Sequence, residues 1–266
     1  MAPEPSKFEI LRSIRNERRR TLTLLRDQPA EAFDAPATPG WRVRDVVAHL
    51  ITLDRAAVTG SMVRLILWGG TDRIERWNDR VVARWSKRPV PTMLVALDSW
   101  GRRFERQMSL LPKALYRMRF PTIWGRMPGA FAVWIRAYDE FVHRQDIRRA
   151  LGLGDDVSDA TAIAEFLLSV VPYHTLPELA GRGGTVALEV AGEPLPRWRY
   201  DAGSGGVSGP VNGDEPADVV IRVPATPFIM AAAGREDFAQ LESSGMLTIK
   251  GDSQLAGAFL SKLRLV

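Results

Sequence analysis

The sequence predicts an α plus α/β two-domain chain: an all-α domain over residues 1–176, then a smaller α+β domain over 177–266. Three observations predict it. Apolar residues recur at helical spacing as far as residue 171, then alternate with polar ones after Gly181. Charge is split: the first 150 residues hold 28 basic and 16 acidic side chains, the remainder 8 and 15. Hydrophobic residues are 45% and charged residues 25% of the 266, the mix of a folded globular protein, which excludes disordered and collagen-like chains. The basic half reads first as solvated helix faces and second as an anion- or nucleic-acid-binding surface.

The first helix is expected over residues 5–28. Phe8, Leu11, Ile14, Leu22, Leu24 and Leu25 form its apolar stripe, Arg18 to Arg20 its wet face, and Pro29 its end. Residues 29–40 carry three prolines and read as a loop. A second helix starts near Trp41 and presents Val43, Val46, Val47, Leu50 and Ile51 on one face. After the break at Gly69-Gly70, a third helix runs to about residue 86 and a fourth from about 92 to 111. The stretch 111–129 mixes aromatics and arginines and is irregular. A strong helix follows over about 130–151, stopped by Gly152 and Gly154, and another over 159–171. TVALEVAG, WRYDAG, ADVVIRVP and LTIKGD read as strands, GSGG and NGD as turns, and ATPFIMAAAG and SQLAGAFLSKLRL as helices.

No apolar run reaches the roughly 20 residues of a membrane span; the longest, at 62–68, contains Arg64. The N-terminus has no apolar leader core, so a cytoplasmic location is expected. The chain has no cysteine. That removes disulfide scaffolds, thiolate zinc fingers and a cysteine nucleophile, and any thiol chemistry must use a thiol from outside.

The chain has three histidines, His49, His143 and His174. His49 falls at the edge of the apolar face of the second helix. On the 130–151 helix, Asp139, His143 and Asp146 lie within about 60° of one another. Asp139 and His143 are i and i+4, so their side chains meet, and a carboxylate–imidazole pair one turn apart can chelate a metal. His49 from a facing helix could complete three ligands and leave a position open for water or substrate. Glu140 is a rival for the carboxylate, and Asp146 could orient His143 through its other ring nitrogen. A core histidine and a helix-stabilising pair explain the same spacing, so spacing alone leaves the site open.

GWRVRDVVAHL (40–50), ERWNDRVVARW (75–85) and DEFVHRQDIRRALG (139–152) resemble the mycothiol-dependent maleylpyruvate isomerase family. VIRVPATPFIMAAAGREDF and LTIKGDSQLAGAFL resemble its small C-terminal domain, and the likeness runs from about Glu9 to Leu263. The resemblance implies a DinB-like four-helix bundle followed by a sterol-carrier-like domain. It implies a divalent metal, usually zinc, on His49, Asp139 and His143, with Asp139 standing where the family often has Glu. It further implies an enzyme that uses a low-molecular-weight thiol, mycothiol, for isomerisation or S-transfer to a small electrophile. Arg235 matches an arginine that holds substrate carboxylates.

Other candidates are assigned structural roles. Arg117, Arg119 and Arg126 read as a solvated loop, His174 as structural or exposed, and Trp41, Trp77 and Trp134 as core. Two alternatives come from other classes. One is a hydrophobic-ligand or lipid carrier with a structural metal and a pocket lined by Val219, Ile221, Phe228 and Met230. The other, ranked last, is a nucleic-acid-binding bundle. The expected partners are a small electrophile and a thiol, without a membrane, in a monomer or homodimer.

Overall fold

A computed structural model of the chain describes residues 6–62, 71–122, 125–179, 181–191, 197–203, 207–211 and 215–265. The apolar run ending at 68, the Gly69-Gly70 break, most of the GSGG turn and the NGD turn lie outside these residues. The chain divides into two compact units. One holds Ser6–Ile123 with Pro128–Asp156, the other Trp124–Met127 with Val157–Val266.

The first unit is helical. Its bundle consists of α1 (Lys7–Arg26), α2 (Val43–Val58), α4 (Val90–Leu110) and α6 (Gly129–Ala150), with α3 (Thr71–Trp85) packed on α2 and the short α5 (Lys113–Arg117) before α6. Helix α1 starts at a capping box: Ser6 Oγ accepts from the Glu9 amide at 3.3 Å, and the Glu9 carboxylate accepts from the Ser6 amide at 2.8 Å. Pro89 and Pro112 precede α4 and α5, where a missing N–H is harmless. Val47, Leu50, Ile51 and Leu97 are fully buried in the apolar core. Phe8, assigned to the α1 stripe from sequence, is instead 76% exposed, two residues before the first buried position, Ile10.

The loop expected at 29–40 is more ordered than its prolines suggest. A 3-10 turn at Ala30–Asp34 leads into β1 (Pro36–Thr38), which pairs with β2 (Trp41–Arg42). The turn between them needs Gly40 at φ +82°, a conformation glycine takes without strain. This hairpin fixes Trp41 just before α2. The irregular stretch 111–129 contains α5 and two short strands, β3 (Arg119–Thr122) and β4 (Gly125–Pro128).

The second unit is α+β. A five-stranded sheet runs in the order β7 (Val207–Val211), β6 (Arg197–Asp201), β5 (Thr185–Ala191), β8 (Val219–Pro224), β9 (Thr248–Gly251). β5 and β8 are parallel; the other pairs are antiparallel. Helices α7 (Ala160–His174), α8 (Ala225–Ala232), α9 (Phe238–Ser243) and α10 (Ser253–Ser261) complete it. Strand β7 and helix α9 were not expected. The sequence reading places the join between domains at 176, but the contacts divide the chain at Asp156 because α7 belongs to this unit. Ile163, Phe166, Leu167, Leu168 and Val170 bury almost every face of α7, and Tyr200 Oη donates to the Leu168 carbonyl at 2.9 Å. Val219, Ile221, Phe228 and Met230, expected to line a ligand pocket, are fully buried core residues. No helix among the described residues is long and apolar enough to cross a membrane.

Candidate metal centre

Helix α6 carries an unusual load for a bundle helix. Besides Phe131, Trp134, Phe141 and Ile147, it buries Arg136, Glu140, His143, Arg144, Gln145 and Asp146. Buried charge persists only where it is paired. Arg144 pairs with Glu17 of α1 at 3.0 Å and with Asp156. The remaining groups form two adjoining clusters, one of imidazoles and carboxylates and one of guanidiniums and carboxylates.

In the first cluster, Asp139 Oδ1 lies 3.5 Å from His49 Nε2 and 3.6 Å from His143 Nε2. One ligand atom from each of the three residues lies within 4.8 Å of the others. With metal–ligand bonds of about 2.1 Å, tetrahedral donors sit about 3.4 Å apart, so the carboxylate-to-imidazole spacings suit one ion. Each ring is also fixed from behind. His49 Nδ1 meets Asn78 Oδ1 at 2.8 Å, and His143 Nδ1 meets Asp146 Oδ2 at 3.0 Å. Both acceptors call for a proton on Nδ1, so Nε2 is the nitrogen that each ring turns toward Asp139 and the one that would meet a cation. Trp41 walls the site, its ring 5.1 Å from that of His49 and 6.3 Å from that of His143. Burial pushes the Asp139 carboxyl up, but His143, the hydrogen bond and charge of His49, and Arg136 outweigh it and hold it well below the usual carboxylate range.

In the second cluster, Arg18 Nη1 reaches Asp54 Oδ2 at 2.6 Å, and its Nη2 reaches Glu140 Oε2 at 2.9 Å. Arg136 reaches Asp54 Oδ1 at 2.7 Å and Glu140 Oε2 at 2.6 Å. Two cations and two anions from α1, α2 and α6 thus close a ring. Arg18 also donates to the Leu97 carbonyl of α4 at 2.9 Å. Its guanidinium passes Gly101, where a Cβ would stand 2.6 Å from Nη1.

The sequence candidates therefore separate. His49, Asp139 and His143 converge. Glu140, the rival carboxylate, is 1% exposed and turned to the arginines. Asp146 stands against His143 as its spacing suggests. Arg235 lies in the α+β unit, past the end of α8, and its Nη1 donates to the Ala233 carbonyl at 3.0 Å. His174 is bound to the Arg264 carbonyl at 3.0 Å in that unit. Arg117, Arg119 and Arg126 are exposed, and Trp134 is core. Trp41 is half-buried against the histidines rather than sealed in the core.

Sequence reasoning missed Asn78, Asp54, Arg136 and Arg18, and assigned Arg18 to the wet face. Arg18 lies on the stripe of Leu11, Ile14, Leu22 and Leu25, all of them buried. Asp54 likewise continues Val47, Leu50 and Ile51. A charge embedded in an apolar stripe was the available signal.

The helical unit matches the protein-family model described as the mycothiol maleylpyruvate isomerase N-terminal domain, over residues 14–148. Residues 167–263 match the SCP-2 sterol transfer family. Among solved structures, a histidine-to-alanine variant of the mycothiol-dependent maleylpyruvate isomerase superposes with a TM-score of 0.58 at 16% identity, covering 92% of this chain and 93% of that one. The unaltered isomerase gives 0.56 at 17% identity, covering 88% and 91%. No curated protein sequence matches the chain. At these identities the superpositions establish the fold, a helical unit followed by an SCP-2-like α+β unit. The family-model match spans just over half of the chain, which therefore belongs to the mycothiol maleylpyruvate isomerase N-terminal domain family.

Proposed function

We propose that the helical unit holds one divalent cation on His49 Nε2, Asp139 Oδ1 and His143 Nε2, and works as a thiol-dependent enzyme. The thiol is a low-molecular-weight one, mycothiol by family. The reaction is isomerisation of a small electrophile or S-transfer to it, in the cytoplasm. One observation carries the reading: three donor atoms converge, and both imidazoles are held from behind with Nε2 free to ligate. Two nitrogens and one carboxylate oxygen suit zinc and leave a position for an incoming ligand. Bound there, the cation supplies the positive charge that keeps a thiol ionised near neutral pH.

The chain's own residues do the rest. Asn78 and Asp146 set the imidazole tautomers, and the indole of Trp41 covers one side of the pair. With no cysteine in the chain, no internal thiol competes for the open position. Arg235 is assigned to hold a substrate carboxylate through its guanidinium fork. A second reading, that the α+β unit carries a hydrophobic ligand, is favoured by its SCP-2 match. It ranks lower because the four residues expected to line the pocket are packed core.

Metal analysis of untagged protein tests the first reading. The expected result is near one equivalent in the wild type, background in His49→Ala and Asp139→Ala, and near one equivalent in Glu140→Gln. Wild-type protein that stays metal-free after incubation with zinc overturns it.

A further inference from the structure

Arg136 touches three carboxylates, one with each nitrogen. Its Nε lies on Asp54 Oδ1 at 2.7 Å, its Nη2 on Glu140 Oε2 at 2.6 Å, and its Nη1 on Asp139 Oδ2 at 3.1 Å. The first two partners are essentially inaccessible to solvent, and Arg18 binds both from the other side. A guanidinium tied to two immobile carboxylates has no rotation left with which to follow a third. Asp139 must therefore accommodate Arg136, and not the reverse. The oxygen it commits to Arg136 is Oδ2, while the oxygen facing both imidazoles is Oδ1.

The geometry points to Arg136 as the positioning residue of the metal site: by occupying Oδ2 it makes Asp139 offer the cation a single oxygen. This rests on the metal reading above. The consequence is specific. A free carboxylate can close on a cation through both oxygens and fill the position an external thiol needs. Arg136 prevents that closure, and the buried ring with Arg18, Asp54 and Glu140 serves as its anchor. Lysine at 136 could not replace it, because one ammonium on a flexible stem cannot bridge three carboxylates in a fixed plane.

Cobalt(II) alone is the probe, with no substrate or thiol, on the full chain. Wild-type protein is expected to bind one equivalent with the intense visible absorption of four-coordinate cobalt. Arg136→Lys is expected to bind about 10- to 100-fold more weakly, the range for lost outer partners of metal ligands. Its absorption should fall as the second oxygen of Asp139 joins. Glu17→Gln is the control: it disturbs the buried Glu17–Arg144 pair of the same unit and leaves Arg136, its anchor and Asp139 untouched. Its melting temperature should fall while its cobalt affinity stays within about threefold of wild type.

Wild-type affinity and spectrum in Arg136→Lys overturn the inference and leave the metal reading standing. An equal loss of affinity in Glu17→Gln also overturns it, since the effect would then follow bundle stability. Failure of the wild type to bind cobalt overturns the metal reading itself. Should Arg136→Lys not fold, the wild type supplies a second test through its infrared difference spectrum on adding zinc. Widely split carboxylate stretches, absent in Asp139→Asn, are expected for one bound oxygen; closely spaced bands overturn the inference.

Discussion

The two units solve the problem of an interior in opposite ways. Among the described residues, the helical unit buries Glu17, Arg18, Asp54, Arg136, Glu140, His143, Arg144 and Asp146. The buried polar side chains of the α+β unit are Ser169, Thr175 and Thr226, none of them charged. An apolar interior is the cheaper solution, since well-packed hydrophobic residues often match or exceed a buried ion pair in stability. The helical unit therefore accepts a costly interior on the side that adjoins the histidines, and an ordinary core of Val47, Leu50 and Ile51 elsewhere. Among the described residues, buried charge adjoins the histidines of the helical unit and is absent from the interior of the other unit.

The largest expected effect that would sharpen this contrast is at Asp54. It is fully buried and binds both arginines of the ring. Asp54→Ala should lower the stability of the helical unit by about 3–5 kcal/mol, the usual penalty for breaking a buried pair. Denaturant titration checks it, and a loss below about 1 kcal/mol would mean that the ring is solvated and the contrast is false.

A smaller effect is expected in the apolar unit, at its buried phenol. Burial pushes the Tyr200 hydroxyl well above its ordinary value. Its folded pKa exceeds its unfolded one, so its contribution is complete below about pH 10 and is lost as pH rises beyond that. Tyr200→Phe should remove that alkaline sensitivity and cost about 1–2 kcal/mol at neutral pH, because the Leu168 carbonyl loses its donor. Stability curves from pH 7 to 11 check both parts. A charged-interior behaviour here, such as a transition between pH 4 and 7, would break the comparison.

The smallest effect lies at the sheet surface. The Thr185 hydroxyl and amide hydrogen bonds hold the Asp218 carboxyl below its ordinary value, at 2.8 Å and 2.7 Å. Its stabilising contribution is complete above the unfolded carboxylate pKa of about 3.9 and is lost as pH falls through the lower folded value. Thr185→Val should move the Asp218 titration back toward ordinary, as read by NMR, with little change in the melt at neutral pH.

Much of this was legible in the chain because the signals are local. The helices appear as apolar stripes, and Asp139, His143 and Asp146 as neighbours on one turn. What was not legible depends on distant partners. Asp54 and Arg136 are 82 residues apart, and Arg18 and Glu140 are 122 apart. No spacing rule links them, so the apolar stripe can show that Arg18 is buried but not which carboxylates meet it. Strand β7 is a similar case. VSGPV carries turn formers, and pairing with β6 at the edge of the sheet supplies the strand that its propensity does not. The join at 156 escaped notice because α7 reads as one more bundle helix, while it packs on α8 and the Leu176–Leu179 turn of the α+β unit.

Gly101 shows what such an interior means for anyone reworking this scaffold. Glycine in mid-helix is ordinarily an invitation, because alanine there raises helix stability by about 1 kcal/mol. Here the vacant space is a corridor through which a guanidinium crosses from one helix to carboxylates on two others. Arg18 is held at its far end by three partners and cannot step aside for a methyl group. The substitution that a propensity table recommends first would close the passage on which the ring depends. Stabilising this protein by rule would begin by dismantling it.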